Sequence, residues 1–197
     1  MKTKSITLQL LAFAFFLFAN VASGQTGNTA LLLIDIQDFY FEGGSSALVD
    51  PLPASRNAGR LLQNFREKGK VVIHIKHGEG AQSDIHENVK PLDSEKVIVK
   101  NEVNSFLNTD LLEYLRANNI ENLVLCGMQT HMCLEAATRA AADFGFSCTV
   151  IGDACATKDL IFGDKVIKAE DVHYSTLATF KPYAKVLNTD AYLKNGL

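Results

Sequence analysis

The sequence predicts an α/β domain: a doubly wound, mostly parallel six-stranded sheet with helices on both faces. Three observations carry this. Six short β-branched or leucine-rich runs read as buried strands, segments of helical periodicity lie between them, and the 197 residues suffice for one good core. Strands that alternate with helices pair in parallel through right-handed crossovers, which leaves helices on both sides of the sheet.

In chain order, "TALLLID" (29–35) is the first strand, and "PASRNAGRLLQNFREKG" is a helix stopped by Gly69. "KVVIHIK" (70–76) follows, and then the irregular stretch Gly78 to Ser94, long enough to be a loop over one edge of the sheet. "KVIVK" (96–100) precedes the helix "TDLLEYLRANNI", for which Thr109 or Asp110 can cap the start. "NLVLCG" (122–127) leads to "CLEAATRAAADFG", a helix ended at Gly145, and "SCTVIGD" (147–153) is the fifth strand. The spacing predicts a helix from about Val166 to Phe180 before the last strand, "AKVLN" (184–188).

No internal repeat or linker divides residues 25–197, which read as a single domain. A formal charge of −3 and the lack of any Lys/Arg block argue against a nucleic-acid partner. Residues 1–24 read as a secretory signal: a positive start "MKTK", a short apolar core "LQLLAFAFFLFA" and the small residues "VASGQ". An uncleaved anchor is the alternative, but the apolar core is short for a membrane span. The expectation is therefore a secreted, periplasmic protein with no membrane association after cleavage.

In this fold class ligands bind beyond the carboxyl ends of the strands. Asp35 closes the first strand, Lys100 closes the third, and Cys133 lies a short turn beyond the fourth. Each alone has a bland reading: a turn-forming Asp, a solvated Lys, a small buried hydrophobe. Their placement on one rim is what gives them chemistry. A cysteine at a helix's first turn meets unpaired N–H groups and the positive end of the dipole, which favour a thiolate and offer an oxyanion site. Asp35 can take the thiol proton and later hand it to a leaving amine, with Lys100 beside both.

The segments "LLLIDIQDFYFEGG", "VIVKNEVNSF", "CGMQTHMCLEAATRAAADFGF" and "VIGDACAT", in that order, resemble the isochorismatase-like cysteine hydrolase superfamily from Thr29 to about Leu193. The resemblance implies an Asp35–Lys100–Cys133 triad, a cis peptide between Met128 and Gln129, and an oxyanion hole from the Gln129 and Cys133 amides. It also implies a homo-oligomer. The isochorismate-cleaving members lack the cysteine, so Cys133 points to the amidase branch, related to nicotinamidases and N-carbamoylsarcosine amidases. Nicotinamidases carry an Asp-x-His metal pair where this chain reads "IKH", Ile75 to His77, so no metal and no cofactor are expected. The expected activity is hydrolysis of a C–N bond in a small amide, imide or ureido compound through a thioester. A vinyl-ether hydrolase using Asp35 as acid and a non-catalytic binder are the alternatives.

Further candidates surround that triad. Residues three apart in a strand face opposite ways, so His74 and His77 do not form one metal site; His77 is placed to touch substrate and His74 to sit in the core. Gln37 can orient Asp35 or the substrate or be a solvated loop residue, and Tyr40 in the aromatic cluster "DFYFEGG" and Phe106 in "NSF" can wall a pocket or pack the core. His131, in the cysteine turn, fits pocket lining and helix capping equally. Cys126, Cys148 and Cys155 are expected to be free and structural, leaving Cys133 as the exposed reactive thiol.

Overall fold

The computed structural model describes residues 28–195. The signal-peptide expectation concerns residues outside that range. Six strands form one parallel sheet in the order β3-β2-β1-β4-β5-β8: β1 Asn28–Ile34, β2 Val71–His77, β3 Lys96–Lys100, β4 Ile120–Met128, β5 Ser147–Ala156 and β8 Ala184–Leu187. The central strand β1 is buried from Ala30 onward, with β2 and β4 on either side. A strand covered on both faces has no polar side to keep, which is why "ALLLI" does not alternate.

The helices are α1 Pro51–Glu67, α2 Leu111–Ala117, α3 Glu135–Asp143, α4 Ala169–Thr179 and α5 Thr189–Asn195. Helix α1 buries Ala54, Ala58, Leu61, Leu62 and Phe65, an i, i+4, i+7, i+8, i+11 stripe laid on the sheet. Gly69 and Gly145, both at positive φ, follow α1 and α3 as left-handed stops. Thr109 Oγ1 accepts from the Leu111 N–H at the start of α2.

Two local expectations are corrected. Val166 does not begin a helix: Leu160–Phe162 (β6) and Lys165–Ile167 (β7) pair as an antiparallel hairpin around Gly163 at φ +60°. Helix α4 starts only at Ala169, whose N–H is taken by Asp159 Oδ1 at 2.8 Å. Nor does Cys133 begin an α-helix, since Thr130–Leu134 forms a π turn and α3 starts at Glu135. Among the described residues, no helix is long and apolar enough to cross a membrane.

Candidate active site

The site begins with how β1 ends. Beyond Ile34 the chain turns at Asp35, which adopts φ +50° and donates its N–H to the Ile75 carbonyl at 3.0 Å. On the other side β4 closes in through Gly127, paired with Ile34 at φ +134°. A Cβ there would lie 2.0 Å from the Ile34 carbonyl oxygen, so only glycine permits this approach. Asp35 is thereby fully buried at the rim between β2 and β4.

Lys100, the last residue of β3, pairs in register with His77, the last of β2. Its side chain crosses that strand and sets Nζ 2.7 Å from Asp35 Oδ2, 3.1 Å from His77 Nδ1, 3.1 Å from the Glu102 carbonyl and 3.4 Å from Cys133 Sγ. Burial pushes the Asp35 carboxyl up, and Lys100 opposes the rise.

Cys133 arrives from the π turn after β4. The Met128–Gln129 peptide is cis. The Gln129 carbonyl then accepts from the Met132 N–H at 3.0 Å and the Leu134 N–H at 3.4 Å, folding the turn around one oxygen. Contrary to the expected exposed thiol, Cys133 is only 5 % exposed. Nor is the thiolate favoured at rest: burial first, and the Asp35 carboxylate next, push the thiol up to about 12 against the pull of Lys100. The turn dipole anticipated from sequence is outweighed by lost hydration and a neighbouring negative charge.

Residues 29–190 match the isochorismatase domain family. The chain belongs to that family. It is a hydrolase of the isochorismatase type and is 45 % identical over 180 residues to the isochorismatase family protein YddQ of Bacillus subtilis, covering 84 % of this chain and 99 % of that protein. Streptothricin hydrolase of Streptomyces noursei is 30 % identical over 141 residues, 66 % of this chain and 50 % of that protein. The crystal structure of an Oleispira antarctica protein assigned as an isochorismatase hydrolase superposes with a TM-score of 0.83 at 36 % identity, covering 87 % of this chain and 99 % of that one.

The remaining candidates of this isochorismatase-family chain separate by position. His77 stands in the cluster, half-buried, with Nδ1 on Lys100. Tyr40 lies in a 3-10 turn, Asp38–Tyr40, and its hydroxyl accepts from Gln129 Nε2 at 3.4 Å. His131 shares a 2.6 Å hydrogen bond through Nδ1 with Thr157 Oγ1, which ties the cysteine turn to the end of β5 rather than capping a helix.

Two further candidates make their polar or aromatic contacts within the protein. Gln37 is fully buried, and its amide is spent on main chain: Oε1 accepts from the His77 N–H at 2.7 Å, while Nε2 donates to the His77 and Ser83 carbonyls. It braces the loop after β2 against the end of β1. Phe106 packs on Phe144 and Phe146, with ring centroids 5.3 and 6.4 Å away, beside the end of α3 opposite the cysteine turn. Phe106 and Phe146 are buried there, while Phe144 stays partly exposed.

Sequence reasoning passed over Glu102, Thr157 and His173. Glu102 enters through its carbonyl, which any residue type supplies, so no side-chain signal marks it. Thr157 ends the quoted "DACAT" and was readable as a polar residue just past a strand. His173 Nδ1 meets Thr130 Oγ1 at 2.9 Å, a contact between the cysteine turn and α4 that only the fold creates.

All four cysteines are free and buried. Cys148 pairs with Leu123, three residues before Cys126, whereas Cys155 pairs with Gly127 next to it. His74 lies in the core with Nε2 3.0 Å from Glu95 Oε2, on the opposite face from His77. Among the described residues the one group of metal-type donors is Asp35, His77 and Cys133, and each has an atom near Lys100 Nζ.

Proposed function

We propose that this hydrolase cleaves the C–N bond of a small amide, imide or ureido compound through a thioester on Cys133. The observation that carries the reading is the placement of Lys100 Nζ between Asp35 Oδ2 at 2.7 Å and Cys133 Sγ at 3.4 Å, with all three residues buried. A thiol held near 12 is a poor thiolate source by itself, so its proton must leave as sulfur attacks. Asp35 is the acceptor in reach.

In this sequence of steps Cys133 Sγ bonds to the substrate carbonyl carbon while its proton passes to Asp35. The Gln129 and Cys133 backbone N–H groups hold the oxyanion. Collapse breaks the C–N bond, and Asp35 returns the proton to the departing nitrogen. Water then attacks the thioester with Asp35 taking its proton, and the proton goes back to sulfur as the acid leaves. Lys100 balances negative charge at whichever of oxygen and sulfur carries it. The streptothricin hydrolase relative, itself named for a hydrolysis, supports the coarse reading.

The test is a release assay for ammonia and acid across small amides, ureides and imides, with Cys133→Ala as control. Turnover that vanishes in Cys133→Ala, with a substrate-derived thioester trapped on wild type, is the expected result. Turnover retained in Cys133→Ala sinks the nucleophile and turns the assignment to acid catalysis by Asp35 on a vinyl ether.

The proposal includes self-association. Ile161 and Phe162 on the β6–β7 hairpin are 77 % and 80 % exposed, on opposite faces of a two-stranded ribbon too small to be stable without cover. Sedimentation should give more than one chain per particle, and Ile161→Asp with Phe162→Asp should reduce it to one. A monomeric wild type rules this part out.

A further inference from the structure

The Lys100 ammonium carries three protons and meets four acceptors, and one of these is a side chain whose role the triad chemistry leaves open. His77 Nδ1 is 3.1 Å from Nζ. An ammonium only donates, so in a hydrogen bond between the two Nδ1 accepts with its lone pair. The imidazole proton is thereby confined to Nε2, for which no protein partner is present among the described residues.

The fold explains why this residue stands there. His77 and Lys100 are register partners at the ends of β2 and β3, and Asp35 ends β1 on the far side of β2. To reach Asp35, the lysine has to pass over His77. Gln37 then fixes the His77 main chain from both sides, accepting from its N–H at 2.7 Å and donating to its carbonyl at 3.2 Å. The charged or titratable groups around the ring are Asp35 from the end of β1, Lys100 from β3 and Cys133 from the π turn, with one atom of each of Asp35, His77 and Cys133 mutually within 4.8 Å.

We propose that His77 is a positioning residue with a second, substrate-facing role: Nδ1 steers the Lys100 ammonium onto Asp35 and Cys133, and Nε2–H donates to an acceptor atom on the substrate beside the scissile carbonyl. The preferred substrate class is therefore an amide or ureide carrying a second carbonyl or carboxylate oxygen close to the bond that breaks. A plain alkyl amide leaves the Nε2–H unmatched in a partly desolvated site, which costs affinity. The substrate half of this inference rests on the thioester reading, whereas the lysine half does not.

The tautomer is tested first, without any substrate. Long-range 1H–15N correlation spectra of the wild-type protein labelled with 15N-histidine, taken at alkaline pH and assigned by loss of the His77 signals in His77→Asn, should show a neutral ring protonated on Nε2. A proton on Nδ1, or a cationic ring, overturns the proposal.

The kinetic arm uses the fastest amide from the release assay and its counterpart lacking the second carbonyl. Asparagine puts Oδ1 near the place of Nδ1 and has no donor at Nε2. His77→Asn should keep kcat within about fivefold while KM rises for the two-carbonyl substrate only. His77→Ala, which frees the lysine, should lose about a hundredfold in kcat on both. Equal losses in the two variants overturn the positioning role. An unchanged KM in His77→Asn overturns the substrate contact. Because the spectra need no turnover, failure of the thioester reading in the Cys133→Ala control stays distinct from failure here.

Discussion

Lys100 Nζ and Asp35 Oδ2 lie 2.7 Å apart although their strands, β3 and β1, are separated by β2. Two interstrand spacings amount to roughly 9–10 Å, which the lysine stem, the Asp35 side chain and the contact between them bridge together. Both side chains are fully buried, so neither charge has water as a fallback.

That dependence predicts a stability asymmetry. Lys100→Met leaves the Asp35 carboxylate without its cation and should cost about 3–5 kcal/mol in urea unfolding. Lys100→Met with Asp35→Asn should recover most of the loss, because no buried charge remains. A double variant as unstable as the single would show that lysine packing, rather than charge pairing, dominates.

The thiol offers a second measurement. With Cys133 near 12, the ultraviolet difference between wild type and Cys133→Ala should show no thiolate below about pH 10. Asp35→Asn removes the carboxylate that helps raise the thiol, so the midpoint should move down in that variant while Lys100 stays. An unmoved or higher midpoint contradicts the assigned cause.

Acid sensitivity should trace to Glu95. Its burial raises the carboxyl, but hydrogen bonds from Arg66, the Leu92 N–H and His74 outweigh it and hold the group near 2, against 4.5 unperturbed. A depressed folded value adds stability that is present above about 4.5 and lost as pH falls toward 2. Glu95→Gln should be less stable than wild type at neutral pH, and the gap should narrow through that window; parallel stability curves would refute the linkage.

Gly127 carries the closest backbone approach in the site. Gly127→Ala drives a Cβ into the Ile34 carbonyl, besides occupying φ +134°, so a loss of at least ~3 kcal/mol or failure to fold is expected. Near-native melting of this variant would mean that β4 can draw back from β1 at little cost.

Strand and helix order was legible because period and burial coincide: β1 is apolar on both faces and α1 on one stripe. The positions of Asp35, Lys100 and Cys133 on one rim were legible too, since strand ends are visible in sequence and parallel topology brings them together. The hairpin at Leu160–Ile167 was not, because three-residue strands fall within the helical spacing of Val166 and the residues after it.

Fold class, family and the three residues that meet at the sheet's carboxyl edge are legible in the order and patterning of the chain. Their electrical state and the fate of their neighbours arise only once it folds. Seating the π turn against Asp35 and Lys100 buried Cys133 and pushed its thiol up, where a thiolate was expected. Closing the loop after β2 consumed the Gln37 amide. Laying Lys100 across β2 brought its Nζ within 3.1 Å of His77 Nδ1. Hydration and hydrogen-bond partners depend on which chain segments come to rest against one another, and spacing along the chain does not contain that information.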